Sequence, residues 1–174
     1  MSLYSPRCRL PRTFLLAAAL ALTVPAQGAP PDGARFKDWG TRCEALPEGK
    51  GQLCHIYQTV SVKDKDKPND QPLLNVAVLY PPGKDTPLAL FTVPLGVLLP
   101  AGMGLQVDEG ETTRFGYELC MPQGCRGGLE LKPEVIEALK RGKQAKVIVV
   151  DAKRRAAAIP VSLQGFTAAF DSLK

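Results

Sequence analysis

The sequence predicts a mainly β protein, an antiparallel sandwich with one or two short helices that is cross-linked by disulfide bonds. Three observations predict this fold class. Seven or eight short segments have the composition of strands, they do not alternate regularly with helices, and the cysteines beyond the N-terminal leader are even in number. A regular β-α-β alternation would have favoured a parallel sheet instead.

Residues 1–26 are predicted to be a signal peptide. They carry three arginines and no acidic residue, and an apolar run from Phe14 to Val24 precedes small residues that end at Ala26. This run is shorter than the roughly 20 apolar residues that span a bilayer. The protein is therefore expected to be exported to the periplasm or outer envelope, or secreted, with no transmembrane segment after cleavage.

The remaining chain is predicted to form one domain, residues 35–174, after a flexible lead-in at 27–34 that is rich in glycine and proline. The leader contains three of the 22 basic residues and none of the 17 acidic ones, so it accounts for most of the formal net charge of +5. The domain itself is close to neutral. Its charge gives no indication of a nucleic-acid partner.

Four cysteines remain after the leader: Cys43, Cys54, Cys120 and Cys125. An even number of cysteines in an exported chain predicts disulfide bonds. Three connectivities are possible, of which local pairing of the first two and of the last two is the simplest. Each local bond would close a short loop, which is worth roughly 2–3 kcal/mol in the chain-entropy model.

Strands are predicted where short runs of β-branched, aromatic and aliphatic residues occur, at 53–62, 73–80, 88–93, 112–119, 145–150 and 156–160. If Cys43 bonds to Cys54, the segment Trp39–Glu44 is expected to lie beside the first of these strands. Segment 73–80 is apolar almost throughout, which predicts burial on both faces. Segment 112–119 alternates, which predicts a single half-buried strand.

Two helices are predicted in the last third of the chain. Pro133 to Arg141 begins with a proline suited to the first helical turn and ends before Gly142, a suitable C-terminal cap. A terminal helix over 162–173, capped by Ser162, would place four apolar side chains on one stripe: Leu163, Phe166, Phe170 and Leu173.

Two segments are predicted to be connections, an exposed loop at 63–72 and a packed connection at 94–104. Residues 63–72 alternate in charge and contain two prolines, whereas residues 94–104 combine leucines with prolines and glycines. A rigid sandwich usually carries recognition on its loops, so both are candidate contact segments. The alternative for 63–72 is a solvated hairpin tip without a function.

Catalytic chemistry has little support in the sequence. His55 is the only histidine, no Gly-x-Ser-x-Gly motif supplies a nucleophile, and Cys120 and Cys125 lie too far from any histidine for a zinc site. The pair is also more widely spaced than the Cys-x-x-Cys of thiol oxidoreductases. The sequence therefore predicts no catalytic, cofactor-binding or metal-binding residue, and no enzyme.

Several short motifs occur together and in a fixed order along the chain. They are Asp38–Trp39 with Cys43, Cys54–Gln58 (Cys-His-Ile-Tyr-Gln), Thr92–Gly102 (Thr-Val-Pro-Leu-Gly-Val-Leu-Leu-Pro-Ala-Gly), Tyr117–Cys120, Gly124–Cys125 and Ser162–Phe170 (Ser-Leu-Gln-Gly-Phe-Thr-Ala-Ala-Phe). Taken together, these motifs resemble the invasion-associated locus B family of bacterial envelope proteins. They extend from about residue 36 to the C-terminus and so cover the predicted domain.

The resemblance implies an exported periplasmic or envelope protein with an immunoglobulin-like β-sandwich and no catalytic residue set. It further implies binding to a protein or envelope component, with a role in host-cell interaction or invasion as the family-level extension. Two alternatives stay open from the residues: a periplasmic thiol-disulfide enzyme and an envelope-stress accessory protein.

Overall fold

The computed structural model describes Met1 and residues 30–47, 51–62 and 70–174. Residues 2–26 of the predicted signal peptide, the start of the lead-in and most of the charged segment at 63–72 lie outside the described residues. Within these ranges no helix is both long and apolar enough to cross a membrane.

Eleven strands in the described ranges form two antiparallel sheets. The larger sheet has seven strands in the order β1 (Arg35–Phe36), β2 (Trp39–Ala45), β3 (Gln52–Val62), β4 (Gln71–Leu79), β5 (Leu88–Val93), β9 (Gly124–Glu130) and β8 (Tyr117–Met121). The smaller sheet has four strands in the order β11 (Ala156–Ser162), β10 (Gln144–Val150), β6 (Met103–Val107) and β7 (Thr112–Phe115). Helices α1 (Pro133–Arg141) and α2 (Phe166–Asp171) complete the domain.

One hydrophobic core lies between the two sheets. Both sheets contribute alternate residues to it, with Ile56, Val76 and Phe91 from the larger sheet and Val147 and Val161 from the smaller one. Alternate residues of a strand point to opposite faces, so each sheet presents one apolar face to the other. The predicted mainly β class with two antiparallel sheets and two short helices is confirmed.

Strand β4 corrects the prediction of burial on both faces. Leu74, Val76 and Val78 are buried, but the residues between them are partly or fully exposed. The second apolar row of this segment faces outward on the open side of the larger sheet. An almost wholly apolar strand is therefore covered on one face only in this sheet.

The predicted single strand 112–119 is also corrected, because it divides at Gly116 into β7 and β8. Phe115 pairs with Met103 in the smaller sheet, whereas Tyr117 pairs with Gly127 in the larger one. A Cβ atom at Gly127 would lie 2.5 Å from the carbonyl oxygen of Gly116. The chain can pass from one sheet to the other here because glycine leaves room for that close approach.

The helix predicted at Pro133 to Arg141 is confirmed with the same bounds. The terminal helix is shorter than predicted, and its cap is corrected: Ser162 belongs to β11, and Gly165 is the residue that precedes α2. Two side chains of the predicted apolar stripe, Phe166 and Phe170, are nevertheless almost completely buried.

Residues 30–34 of the predicted lead-in lie against β2. The Thr41 hydroxyl donates a 2.7 Å hydrogen bond to the carbonyl oxygen of Pro31, and the Cys43 N–H donates one of 2.9 Å to Asp32 Oδ1. The Gly33 N–H donates to the carbonyl oxygen of Thr41 at 3.1 Å. This part of the lead-in is thus held to the sheet by hydrogen bonds that its turn-rich composition did not reveal.

The cysteines pair locally, which selects one of the three possible connectivities. Cys43 bonds to Cys54 between β2 and β3, and Cys120 bonds to Cys125 between β8 and β9. In each case the two residues are directly opposite each other in the strand register. The two bonds lie at opposite ends of the larger sheet.

Candidate binding groove

Val60–Val62 and Leu73, which flank the predicted loop 63–72, meet Pro94–Val97 of the predicted segment 94–104 at one end of the sandwich. Together with strands of both sheets, they enclose a groove of about 500 Å³, named here the end groove. It is lined by Val60–Val62, Leu73, Val93–Val97, Val149, Asp151 and Ala157–Pro160. Residues 63–69 lie outside the described part of the chain.

Apolar side chains project from the rim of the end groove into solvent. Leu95 is 58% exposed and Val62 is 49% exposed. A second recess of about 760 Å³ shares both residues and extends to Pro122 and Gln123 at the β8–β9 turn. Contiguous exposed apolar surface of this type is a feature of interaction sites.

The segment that carries Leu95 is anchored to the smaller sheet. The Leu98 N–H donates a 2.8 Å hydrogen bond to the carbonyl oxygen of Val150, and the Ala152 N–H donates one of 2.9 Å to that of Gly96. Val97 forms a β-bridge with Asp151. Leu95 is therefore presented to solvent by a fixed backbone, which reduces the entropy lost when a partner binds.

The β10–β11 turn contributes Asp151 to the end groove and carries three basic residues at 153–155. The Asp151 carboxylate accepts hydrogen bonds from the backbone N–H groups of Lys153 (2.8 Å) and Arg155 (2.9 Å), and from Arg155 Nε. These bonds, that of the Arg155 N–H first, hold the pKa of Asp151 below its ordinary value. Asp151 and Arg155 compensate each other, whereas Lys153 and Arg154 have no acidic partner among the described residues.

A buried polar clamp joins the two sheets beside the end groove. The Gln58 side chain donates to the carbonyl oxygen of Ser162 at 3.0 Å and accepts from the Ser162 N–H at 2.9 Å. Trp39 Nε1 donates to the same carbonyl oxygen at 2.9 Å. The two amide bonds of Gln58 imitate strand pairing and hold the end of β11 against β3.

His55, the only histidine, lies outside this region. Its cross-strand neighbours are Arg42 and Leu79, and its ring centroid is 6.1 Å from that of Tyr57. Partial burial lowers the pKa of His55, which favours the neutral imidazole. The adjacent Cys54 is bonded to Cys43, so the structure brings no thiol nucleophile to this histidine.

The Cys120–Cys125 bond lies nearer to the groove, beside the β8–β9 turn that borders the second recess. Cys125 is only 3% exposed, whereas Cys120 faces solvent. Among the described residues, no three histidine, cysteine, aspartate or glutamate side chains lie close enough together to hold a metal ion.

The comparison with known families identifies the chain. The profile of the invasion associated locus B (IalB) protein family matches residues 39–174, which include nearly all of both sheets. The chain belongs to the IalB family. The predicted family resemblance is thereby confirmed.

Known relatives and one solved structure agree with membership in the IalB family. Invasion protein B homologues from two Brucella abortus strains, 2308 and biovar 1 strain 9-941, are each 26% identical to the chain over 158 residues, covering 90% of it and 87% of the relative. The crystal structure of invasion associated protein B from Bartonella henselae superposes with a TM-score of 0.69 at 24% identity, covering 80% of this chain and 94% of that one. The two proteins share a fold.

Sequence reasoning missed two parts of the site in this IalB-family domain. The wall formed by β11 was predicted as a strand, but its position at the edge of a sheet was not, although Pro160 was an available signal because proline within a strand favours edge positions. The Gln58 clamp left no signal, because its partner Ser162 is 104 residues away.

Proposed function

We propose that this IalB-family protein is an exported, non-enzymatic binding protein of the bacterial envelope, which contacts a protein or envelope component through the end groove. The observation that carries the proposal is the anchored, exposed Leu95 at the rim of a groove between two sheets. A role in host-cell interaction or invasion extends the proposal, supported by the names of the Brucella and Bartonella proteins. The immunoglobulin-like arrangement implied by the resemblance remains part of this proposal.

Replacement of Leu95 by aspartate is expected to lower the crosslinking yield between the protein and its specific envelope partner by about tenfold, because a buried carboxylate would be desolvated at the interface. The measurement uses chemical crosslinking in intact cells that express the full-length gene, followed by identification of the captured partner by mass spectrometry.

Leu99→Asp is the matched control. Leu99 is 49% exposed in the same segment but does not line the end groove, so the variant should keep the wild-type yield. Equal losses in both variants would contradict a role of the end groove. If cells yield no specific partner at all, the protein is better described as an envelope accessory.

The rival function, thiol-disulfide exchange, predicts a readily reduced cysteine pair. We expect alkylation of the native protein to label none of Cys43, Cys54, Cys120 and Cys125, because all four are bonded. We also expect the Cys120→Ser/Cys125→Ser variant to retain partner crosslinking.

Neither pair lies at a helix N-terminus, the position that lowers a thiol pKa in such enzymes. Rapid reduction by a thioredoxin-like donor and loss of function in the double variant would favour the enzyme.

A further inference from the structure

We infer that β11 accepts an extended peptide segment of the partner, which adds to the edge of the smaller sheet as a new strand within the end groove. This inference rests on the proposed function and specifies the chemistry of its partner: an apolar stretch of about five residues with an acidic residue at the end nearest the β10–β11 turn.

The backbone of β11 has free hydrogen-bonding groups on its outer side. β11 is the outermost strand of the smaller sheet and pairs with β10 in a continuous register from Gln144–Ser162 to Val150–Ala156. The Gln58 bonds show that the N–H and C=O of Ser162 point away from β10. Because this direction alternates along an antiparallel strand, the backbone groups of Ala158 and Ala156 also point outward.

The outward groups of Ala156 and Ala158 have no partner among the described residues, whereas Ser162 is satisfied by Gln58. Natural edge strands are usually protected by charges, prolines or bulges. In β11 only Pro160, which has no N–H, gives such protection, and no side chain of the strand is charged. An edge with so little protection, beside a groove, has the geometry that strand addition requires.

The side chains around this edge suit an apolar peptide. Ala156 and Ala158 are small and exposed, so another backbone can approach closely. Val62, Leu73 and Leu95 line the end groove together with Ala157–Pro160 of β11. The stretch from Ala156 to Pro160 would pair with about five residues of peptide, roughly 17 Å of extended chain.

The charges around the edge favour a partner peptide over a second copy of this chain. Lys153 and Arg154 stand at the Ala156 end without an acidic partner among the described residues, so they favour an acidic residue on the peptide. Arg35, Lys37 and one acidic residue, Asp38, line the recess at the Ser162 end, which leaves that end with a net positive charge. Antiparallel pairing of two copies of β11 would bring these two basic groups together, which opposes self-association.

The test uses peptides selected from a displayed library of random 12-residue sequences against the purified protein. We expect enriched peptides to carry an apolar run with an acidic flank. N-methylation at successive positions of one such peptide should weaken binding by about tenfold at alternate residues only, since every second N–H of an added strand bonds to β11.

Ala158→Pro removes the outward N–H and should lower affinity for that peptide by about tenfold or more, while Ala158→Thr keeps the N–H and should bind normally. Circular dichroism checks that the proline variant folds. If it does not fold, the N-methyl scan still tests the inference, because it uses the wild-type protein. Binding without the alternating pattern overturns the inference, as does a dimer of the wild-type protein that the proline variant dissociates.

The two proposals fail in different ways. If no peptide is enriched, or Ala158→Pro binds normally, while the Leu95-dependent crosslink persists, strand addition is wrong and the end groove retains its proposed function. If the crosslink depends on neither Leu95 nor Ala158, the end groove itself is not the binding site.

Discussion

Replacement of Trp39 by alanine is expected to lower the free energy of unfolding by about 3–5 kcal/mol, a large part of a typical domain's stability of about 5–15 kcal/mol. Trp39 is only 1% exposed and contacts Phe166 edge to face, with ring centroids 5.2 Å apart. Its Nε1 group donates to the carbonyl oxygen of Ser162. Removing the ring opens a cavity between β2 and α2. It also removes one hydrogen bond to Ser162, so that only the two bonds of Gln58 still join the sheets there.

Trp39→Phe is the control that separates packing from hydrogen bonding. It keeps an aromatic ring but loses the Nε1 donor, so we expect a smaller loss of about 1–2 kcal/mol. Because Trp39 is the only tryptophan, urea unfolding should be followed by circular dichroism instead of fluorescence. A loss below about 1 kcal/mol for the alanine variant would contradict a central role of Trp39 in the core.

Replacement of Gly165 by alanine is expected to cost about 3 kcal/mol in unfolding free energy, through backbone strain and overlap together. Gly165 has a φ of +86° where β11 leads into α2. A Cβ atom at this position would overlap the carbonyl oxygen of Phe36. Either β1 or the start of α2 would have to move. Movement of α2 would disturb Phe166, which follows Gly165 directly and is buried in the core.

Gly83→Ala is the matched control for the Gly165 variant. Gly83 has a similar φ of +73°, but a Cβ atom there would meet nothing within 4 Å. Its cost should therefore be the backbone strain alone, about 1 kcal/mol. Equal losses in the two variants would show that contact with Phe36 contributes nothing, so the comparison of their urea midpoints tests the packing of α2 against β1 directly.

Local signals predicted the elements whose residues act within a few positions of each other. Strand β5 and helix α1 have the predicted bounds, because the apolar run of 88–93 and the proline start of 133–141 are local properties. Strand β9 was missed for the converse reason. It contains three glycines, Gly124, Gly127 and Gly128, and it is a strand because β5 and β8 pair with it on both sides.

The sequence by itself determined the family, the mainly β class and the set of four cysteines available for bonding, because motif order, composition and counting need no knowledge of spatial contacts. Tertiary structure alone decided which cysteines pair, where the chain changes sheets at Gly116, and that the flanks of 63–72 meet 94–97 in one groove. These features depend on contacts between distant residues, such as Gln58 with Ser162, whose pairing no local pattern encodes.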